Sequence, residues 1–422
     1  MSTITFADVA HPSLSFSSDR EPHALVLALI DTPWVQRLRD ISQTANARLV
    51  YMFSEHSRFG HSVGVAHLAD LLMEKLSHNF PEQVQRYRNA VSAAAMLHDI
   101  GHLAPGSHTA FKAWFPGKPD LHEELSARVI SDDHTIQSIL CKNSPDLSAQ
   151  VLAILSEDAM LPAWTWQILS GGGWNVDRGN WCIVDSVMSG VSYGKYNIPA
   201  LTDSIVITDD GHLALQENRL DAMMHFAVSR QAMYRQIYQH RVIQAAEMLN
   251  RAIVQRARDL GSALEFADPY MRQALDAASA HDIPLTSIFM MRESWWRYHL
   301  LRWMQAKDPI LADLSTRLIN RRLLKTVRVP EQEALAGLQS EAHQALQKAG
   351  YDPTYYLYTV TTSDMHASDY AQSMQVVLDD GRIKSLIEAD PLFGSLVRES
   401  KNVQRTWLVM PEEAKRLLGR QR

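Results

Sequence analysis

Cysteine is nearly missing from this sequence: Cys141 and Cys182 are the two thiols in 422 residues. So few thiols rule out a disulfide framework and fit a reducing compartment, so the expected location is the cytoplasm. No run of about 18 uncharged apolar residues occurs, which argues against a membrane-spanning helix and a membrane partner. The opening residues, Met1-Ser2-Thr3-Ile4-Thr5-Phe6-Ala7-Asp8, hold no basic segment followed by an apolar core and do not read as a secretory signal. Positive charge is not in excess. The net charge of −6 gives no global attraction to nucleic acid or anionic lipid. Internal repeats and low-complexity tracts are lacking too.

What is there is an ordinary globular mixture, 46% apolar and 21% charged, enough for one large domain or two to three smaller ones. Histidine is the exception: there are 18, many of them between His56 and His134. Residues 1–30 read as irregular, with His11-Pro12 and Glu21-Pro22 as breakers. Asp31-Thr32-Pro33 is a helix start. The helix that follows, over 34–43, sets Val35, Leu38 and Ile41 on one side. Gln36, Arg37, Arg39 and Asp40 fall elsewhere and read as a solvated face. Helices are expected over 62–77, 82–100, 122–130, 146–156, 162–170 and 175–185, with 101–117 a loop. Asp209-Asp210-Gly211 between two apolar runs is a hairpin signal. The stretch 217–260 reads as one long bent helix or two in succession, and 267–279, 285–305, 309–323 and 331–348 as further helices. After Gly350 strands appear, at 355–360, 374–378 with 382–386, and 405–409. The expected fold is mainly α: a helical body over 1–330 with its core at about 31–190 and a small β-hairpin, then a small α+β lobe over 331–422.

The body is organised around His98-Asp99, set after Ala93-Ala94-Ala95-Met96-Leu97 and before Ile100-Gly101-His102. Adjacent helical residues point about 100° apart, so both heads can reach one ion off the helix end. Imidazole and carboxylate together suit a divalent metal of intermediate hardness. A lone His-Asp pair is more often structural, because a buried imidazole usually finds an acceptor. The order His61…His98-Asp99…Asp177, with Gly-His after the pair, is far more specific. A metal there would polarise a phosphorus ester and acidify a bound water. Phosphate also needs cations, and Arg58 and Arg178 lie beside ligands. A further cluster, Arg230, Tyr234, Tyr238 and Arg241 with His240 beside it, mixes cations with rings and could hold a triphosphate and stack a sugar or base. Spacing alone also allows a solvated basic face there. His102, His108 and His122 lie just past the metal pair, and one of them could protonate a leaving oxygen, with Glu123 placed to orient an imidazole.

These stretches carry a resemblance. Asp31-Thr32-Pro33 with Gln36-Arg37-Leu38-Arg39 and Gln43, His56-Ser57-Arg58-Phe59, His61-Ser62, His98-Asp99-Ile100-Gly101-His102, Val176-Asp177-Arg178, Tyr238-Gln239-His240-Arg241 and Leu318–Lys325 are together similar to the sterile-alpha-motif/HD-domain deoxynucleoside triphosphate triphosphohydrolase family, without the sterile-alpha-motif domain. The resemblance implies removal of whole triphosphate from a dNTP. It implies one divalent metal (Mn, Fe, Zn, Co or Mg) on His61, His98, Asp99 and Asp177, and a second Mg bridging the phosphates. Arg58, Arg178, Arg230 and His240 or Arg241 would meet phosphates. His108 would sit by the α-phosphate, and His122 would be the acid. Gln43 and Asp185 would bond the 3′-hydroxyl, Tyr238 would pack under the sugar, and Trp181 stands where the family has a pocket tyrosine. Asp31, Gln36 and Arg39 match the residues that read a GTP or dGTP activator in homo-oligomeric members, as dimers or tetramers. The chain also departs from the family. No acid follows His108 in Thr109-Ala110-Phe111-Lys112, the 101–108 loop is one residue longer than usual, and Arg219 is the nearest cation around Gln216–Ala222. Two other readings stay open: a phosphodiesterase or nucleotidase acting on another phosphoester, and a nucleotide sensor or weak single-stranded nucleic-acid binder with little catalysis.

Overall fold

A computed structural model describes residues 2–106, 109–330, 334–363, 374–400 and 404–419. The fold is mainly helical, as the periodicity requires. At its centre the Arg58–Ser77 helix packs along the Pro81–Leu97 helix. Pro81 opens the second of these with its preset φ. Its last turn, Ala93-Ala94-Ala95-Met96-Leu97, is wholly buried, because small side chains let neighbouring helices approach closely. The Val176–Met188 helix lies against the first, and the Leu147–Leu155 helix against the second. Asn175 starts the former by accepting a hydrogen bond from the Arg178 N–H.

The N-terminal thirty residues are not irregular. Strands β1 (Thr3–Phe6) and β2 (Leu14–Ser17) form an antiparallel hairpin, and His23–Ile30 is a helix. The β2 signal is four residues long, with Leu14 and Phe16 buried and the serines between them outward. The helix is apolar on every side and shows no 3.6-residue period. The expected 101–117 loop holds a short helix, Thr109–Trp114, and the unforeseen His134–Asn143 helix begins on an Asp133 cap. The 34–43 helix ends early, at Arg37, in a 3-10 turn. Arg37 is fully buried, so it is not part of a solvated face.

Small sheets flank the helices. β3 (Ile205–Ile207) and β4 (Leu213–Gln216) make the expected hairpin; β7 (Gln375–Val377) pairs parallel with β4, and β8 (Ile383–Ser385) pairs antiparallel with β7. β5 (Lys325–Val329), a strand with no forecast, and β6 (Tyr358–Ser363) flank β9 (Gln404–Met410). The long helical stretch is broken: a π-helical turn at Tyr234–Tyr238 separates Leu220–Met233 from Arg241–Leu260. Such turns recur where side chains must be re-aimed at a site. Among the described residues no helix is long and apolar enough to cross a membrane.

One buried acid ties the Arg241–Leu260 helix to the segment after Gln43. Glu247 accepts hydrogen bonds from the Asn46 backbone N–H (3.2 Å) and side-chain Nδ2 (2.9 Å). Burial nevertheless pushes its carboxyl up to about 7. The folded protein therefore holds this proton more tightly than the unfolded chain. The resulting stability is complete below the ordinary carboxyl range and is lost as pH rises through about 7. Glu247→Gln is expected to remove that slope. Urea unfolding at pH 5 and pH 8 should show the variant gaining on the parent by up to about 3 kcal/mol at the higher pH.

Candidate active site

His61 projects from the second turn of the Arg58–Ser77 helix, His98 caps the Pro81–Leu97 helix, and Asp177 sits in the first turn of Val176–Met188. These ends converge. His61 Nε2 lies 2.9 Å from Asp177 Oδ1 and 3.6 Å from Asp99 Oδ2; His98 Nε2 lies 3.4 Å from Asp99 Oδ1 and 3.7 Å from Asp177 Oδ1. The two rings stand edge to face with centroids 5.3 Å apart. One ligand atom each from His61, His98 and Asp177 lies within 4.8 Å of the others.

The other ring nitrogens are committed. His98 Nδ1 is 2.9 Å from the Ala95 carbonyl, and His61 Nδ1 is 2.9 Å from Asn180 Oδ1. Both acceptors require the proton on Nδ1, which leaves Nε2 with a lone pair facing the carboxylates. Both Nε2 atoms are buried, and neither makes a hydrogen bond. Imidazole nitrogens and carboxylates aimed at one point are what a divalent cation needs, once it has displaced any proton held there. The donor set therefore fits a metal.

Charge around this point is dense. Burial alone would raise the Asp99 carboxyl, but Arg58, His98 and His102 outweigh it and hold it well below the usual range. Asp177, half-buried, is likewise depressed, by His61 and His98 against the opposing effect of burial. Burial opposes the charge on His98, and Asp99 and Asp177 carry it up to about 9. Proton and metal thus compete for the same atoms. Arg58, deep in the core, donates from Nη1 to Asp99 Oδ2 at 2.5 Å. His102 Nε2 is 3.3 Å from Asp99 Oδ1, and its ring stacks on His122 at 4.2 Å. Burial, with Arg58 and His122 nearby, keeps His102 well below its ordinary value and so neutral. Gly101 makes this crowding feasible: a Cβ there would come within 2.2 Å of the His122 carbonyl.

A second wall stands along the Val176–Met188 helix. Asp185 is buried between His56 (Nε2 to Oδ1, 2.7 Å) and Tyr238, whose hydroxyl donates to Oδ2 at 2.5 Å. The rings of Trp181, Tyr234 and Tyr238 meet edge to face, 5.2 to 6.0 Å apart. The Arg230 guanidinium lies 5.1 Å from the Tyr234 ring and 6.0 Å from that of Trp181. Gln43 hydrogen-bonds the His56 carbonyl through its backbone, and its own Oε1 is buried without a partner. Arg178 Nη1 donates to the Gly171 carbonyl.

Other candidates fall elsewhere. His240 caps the next helix through Nδ1, and Arg241 lies over Trp407 of β9, 5.7 Å from its ring centroid. The π-helical turn advances the register, so Arg241 does not share the face of Tyr234 and Tyr238. Asp31, Gln36 and Arg39 lie close together near the surface: Arg39 donates to Gln36 Oε1 at 2.8 Å and lies over Phe59, while Gln36 donates to the Ile30 carbonyl. His108 lies outside the described residues.

Three partners escaped the sequence reading. The acid beside His122 is Asp120, whose Oδ1 is 2.9 Å from Nδ1 and also accepts the His122 backbone N–H; Glu123 points to solvent. An Asx-type turn two residues before a helical His was the available signal. His56 and Asn180 carried none beyond proximity to motif residues.

A family model described as HD domain matches residues 58–151. Uncharacterized protein YwfO of Bacillus subtilis is 28% identical over 384 residues, covering 88% of this chain and 85% of that one. The deoxynucleoside triphosphate triphosphohydrolase SAMHD1 of Xenopus laevis is 40% identical over 125 residues, which is 28% of this chain and 19% of that protein. The crystal structure of a phosphohydrolase from Bacteroides thetaiotaomicron superposes with a TM-score of 0.81 at 24% identity, covering 97% of this chain and all of that one; that likeness is one of fold. The chain thus carries an HD domain over residues 58–151 whose His and Asp ligands converge as a divalent metal requires, the coarse arrangement of a metal-dependent phosphohydrolase, and in part of its length it is similar to HD-domain dNTPases.

Proposed function

We propose that the protein hydrolyses deoxynucleoside triphosphates with one water, releasing the deoxynucleoside and intact inorganic triphosphate. The observation that carries this is the placing of two sites on one helix. Asp177 joins the His61–His98–Asp99 cluster, and Asp185, two turns on, faces His56 and Tyr238, whose ring meets that of Trp181. A phosphate-reactive end and a sugar- and base-sized wall are thus held in one rigid register.

In this reading His61, His98, Asp99 and Asp177 hold one divalent ion, which when bound supplies Lewis acidity at phosphorus and a more acidic water. Arg58 fixes the Asp99 carboxylate. Arg178 and Arg230 offset the triphosphate's charge. His122, oriented by Asp120, gives its proton to the leaving 5′-oxygen; Glu123 is solvent-facing and takes no part. Asp185 and Gln43 hydrogen-bond the 3′-hydroxyl. Tyr238, pinned by Asp185, packs under the sugar where a 2′-hydroxyl would collide. The Asp31–Gln36–Arg39 group is the place for a guanine-nucleotide activator between subunits of a homo-oligomer.

The test is product analysis. The protein is incubated with each dNTP and with ATP, in Mn²⁺ or Mg²⁺, with and without GTP. Deoxynucleoside plus intact triphosphate from a dNTP, with ATP untouched, is the expected result. Pyrophosphate or monophosphate as the inorganic product would instead favour another phosphoesterase reaction, and no turnover in any metal would end the proposal.

A further inference from the structure

Asn180 lies one turn beyond Asp177 and is fully buried. Its Oδ1 is 2.9 Å from His61 Nδ1, and its Nδ2 is 3.3 Å from His11 Nε2. His11 is itself buried, in the turn between β1 and β2, with its backbone N–H donated to Asp8 Oδ2 at 2.7 Å. Space for the amide is built in: a Cβ on Gly64 would come within 2.4 Å of Asn180 Nδ2. An amide has one acceptor end and one donor end, and neither can do the other's work. With Nδ2 donating to His11 Nε2, Oδ1 must face His61 and can only accept. His61 then carries its proton on Nδ1 and keeps Nε2 as a lone pair.

We propose that Asn180, locked by His11 of the N-terminal hairpin, is a positioning residue that sets the metal-binding tautomer of His61. The inference rests on the reading of His61 as a metal ligand. It makes the hairpin, which lies outside the 58–151 domain match, a working part of the site. If the amide is turned over, Nδ2 faces His61 Nδ1, that nitrogen must accept, the imidazole proton moves to Nε2, and the ligand atom is blocked. With the His11 proton on Nδ1, turning the amide over would set Oδ1 against the Nε2 lone pair, and that repulsion opposes the turn.

The test uses the full chain with Asn180→Leu, Asn180→Asp and His11→Phe. ¹⁵N-histidine NMR of the metal-free protein reads the His61 tautomer, Mn²⁺ titration reads affinity, and thermal unfolding checks folding. Asn180→Leu should weaken Mn²⁺ binding roughly tenfold or more and move His61 toward the Nε2–H form. Asn180→Asp, whose carboxylate still accepts from Nδ1–H, should stay within about threefold of the parent; a purely packing role would instead leave the leucine variant, which also fills the space, close to the parent. His11→Phe, at the edge of the cluster, should shift the tautomer in the same direction as the leucine variant. An unchanged His61 tautomer in both Asn180→Leu and His11→Phe would overturn the proposal. A parent that binds Mn²⁺ no better than His98→Ala would instead sink the metal reading, and the metal-free tautomer measurement would still decide the role of Asn180.

Discussion

Asp177→Ala is expected to lose bound metal and at least about a thousandfold of turnover, equivalent to roughly 4 kcal/mol of transition-state stabilisation, with little change in thermal midpoint. The Asp177 side chain is about a third exposed, and the cap of its helix is Asn175 rather than Asp177. Its loss removes the carboxylate that faces both His61 Nε2 and His98 Nε2 but leaves the helix start and core intact. Asp99→Ala is expected to behave differently. Asp99 is almost fully buried, and its Oδ2 accepts a hydrogen bond from the equally buried Arg58. Removing it strands a guanidinium charge in the core, at a cost of about 3–5 kcal/mol. The two variants should therefore share a metal-free, inactive phenotype and differ clearly in unfolding midpoint. Metal content by mass spectrometry, product formation and a thermal melt separate these effects. An Asp177→Ala protein that keeps its metal and its turnover would show that the ion sits elsewhere.

The ligand cluster could be read in the sequence because its four members follow one another in a recognisable order and two are adjacent. The helices that bring them together also carry plain apolar stripes, as in Val65, Leu68 and Leu72 of the Arg58–Ser77 helix. Residues that act through these ligands were harder to read. Asn180 has no charge and no motif spacing of its own, and its meaning depends on His11, 169 residues away. Asp120 lies before its histidine, where no motif marks it. The π-helical turn has no compositional mark, so the Arg241 side chain was placed on the wrong face. β1 and β2 are too short, and the His23–Ile30 helix too uniformly apolar, for a period to emerge.

Arg37 is the largest such misreading, and it carries the second large effect. Its neighbours Gln36, Arg39 and Asp40 are partly or fully exposed, so the residue looked like one more surface charge. Instead its guanidinium is fully buried and donates to five backbone carbonyls: Phe289 (3.1 Å), Ile288 (2.9 Å) and Met291 (3.0 Å), and Ile100 (3.4 Å) and His102 (2.8 Å). The first three belong to the C-terminal end of the Leu285–Met290 helix, where carbonyls have no continuing helix to accept from and the helix dipole is negative. The other two lie one and three residues after Asp99. Burial lowers the group to about 9, so it is still charged at neutral pH, and the carbonyls of two segments are what solvate that charge. Arg37→Met keeps much of the volume but removes this donor; the Ile288, Phe289 and Met291 carbonyls keep the Met291 N–H, Arg292 Nε and Ala104 N–H, so the loss falls mainly on Ile100 and His102. At about 1–3 kcal/mol for each unsatisfied buried group, partial relaxation still leaves a loss of roughly 3 kcal/mol or more in urea unfolding. Arg37→Lys should recover only part of this, since one ammonium cannot span both segments. Arg39→Ala, removed from an exposed position, should stay within about 0.5 kcal/mol. Turnover of Arg37→Met measured well below its melting point should also fall, because the turn that aims Asp99 is anchored on both sides by this side chain. A variant as stable and as active as the parent would mean that water, rather than Arg37, can satisfy the Ile100 and His102 carbonyls.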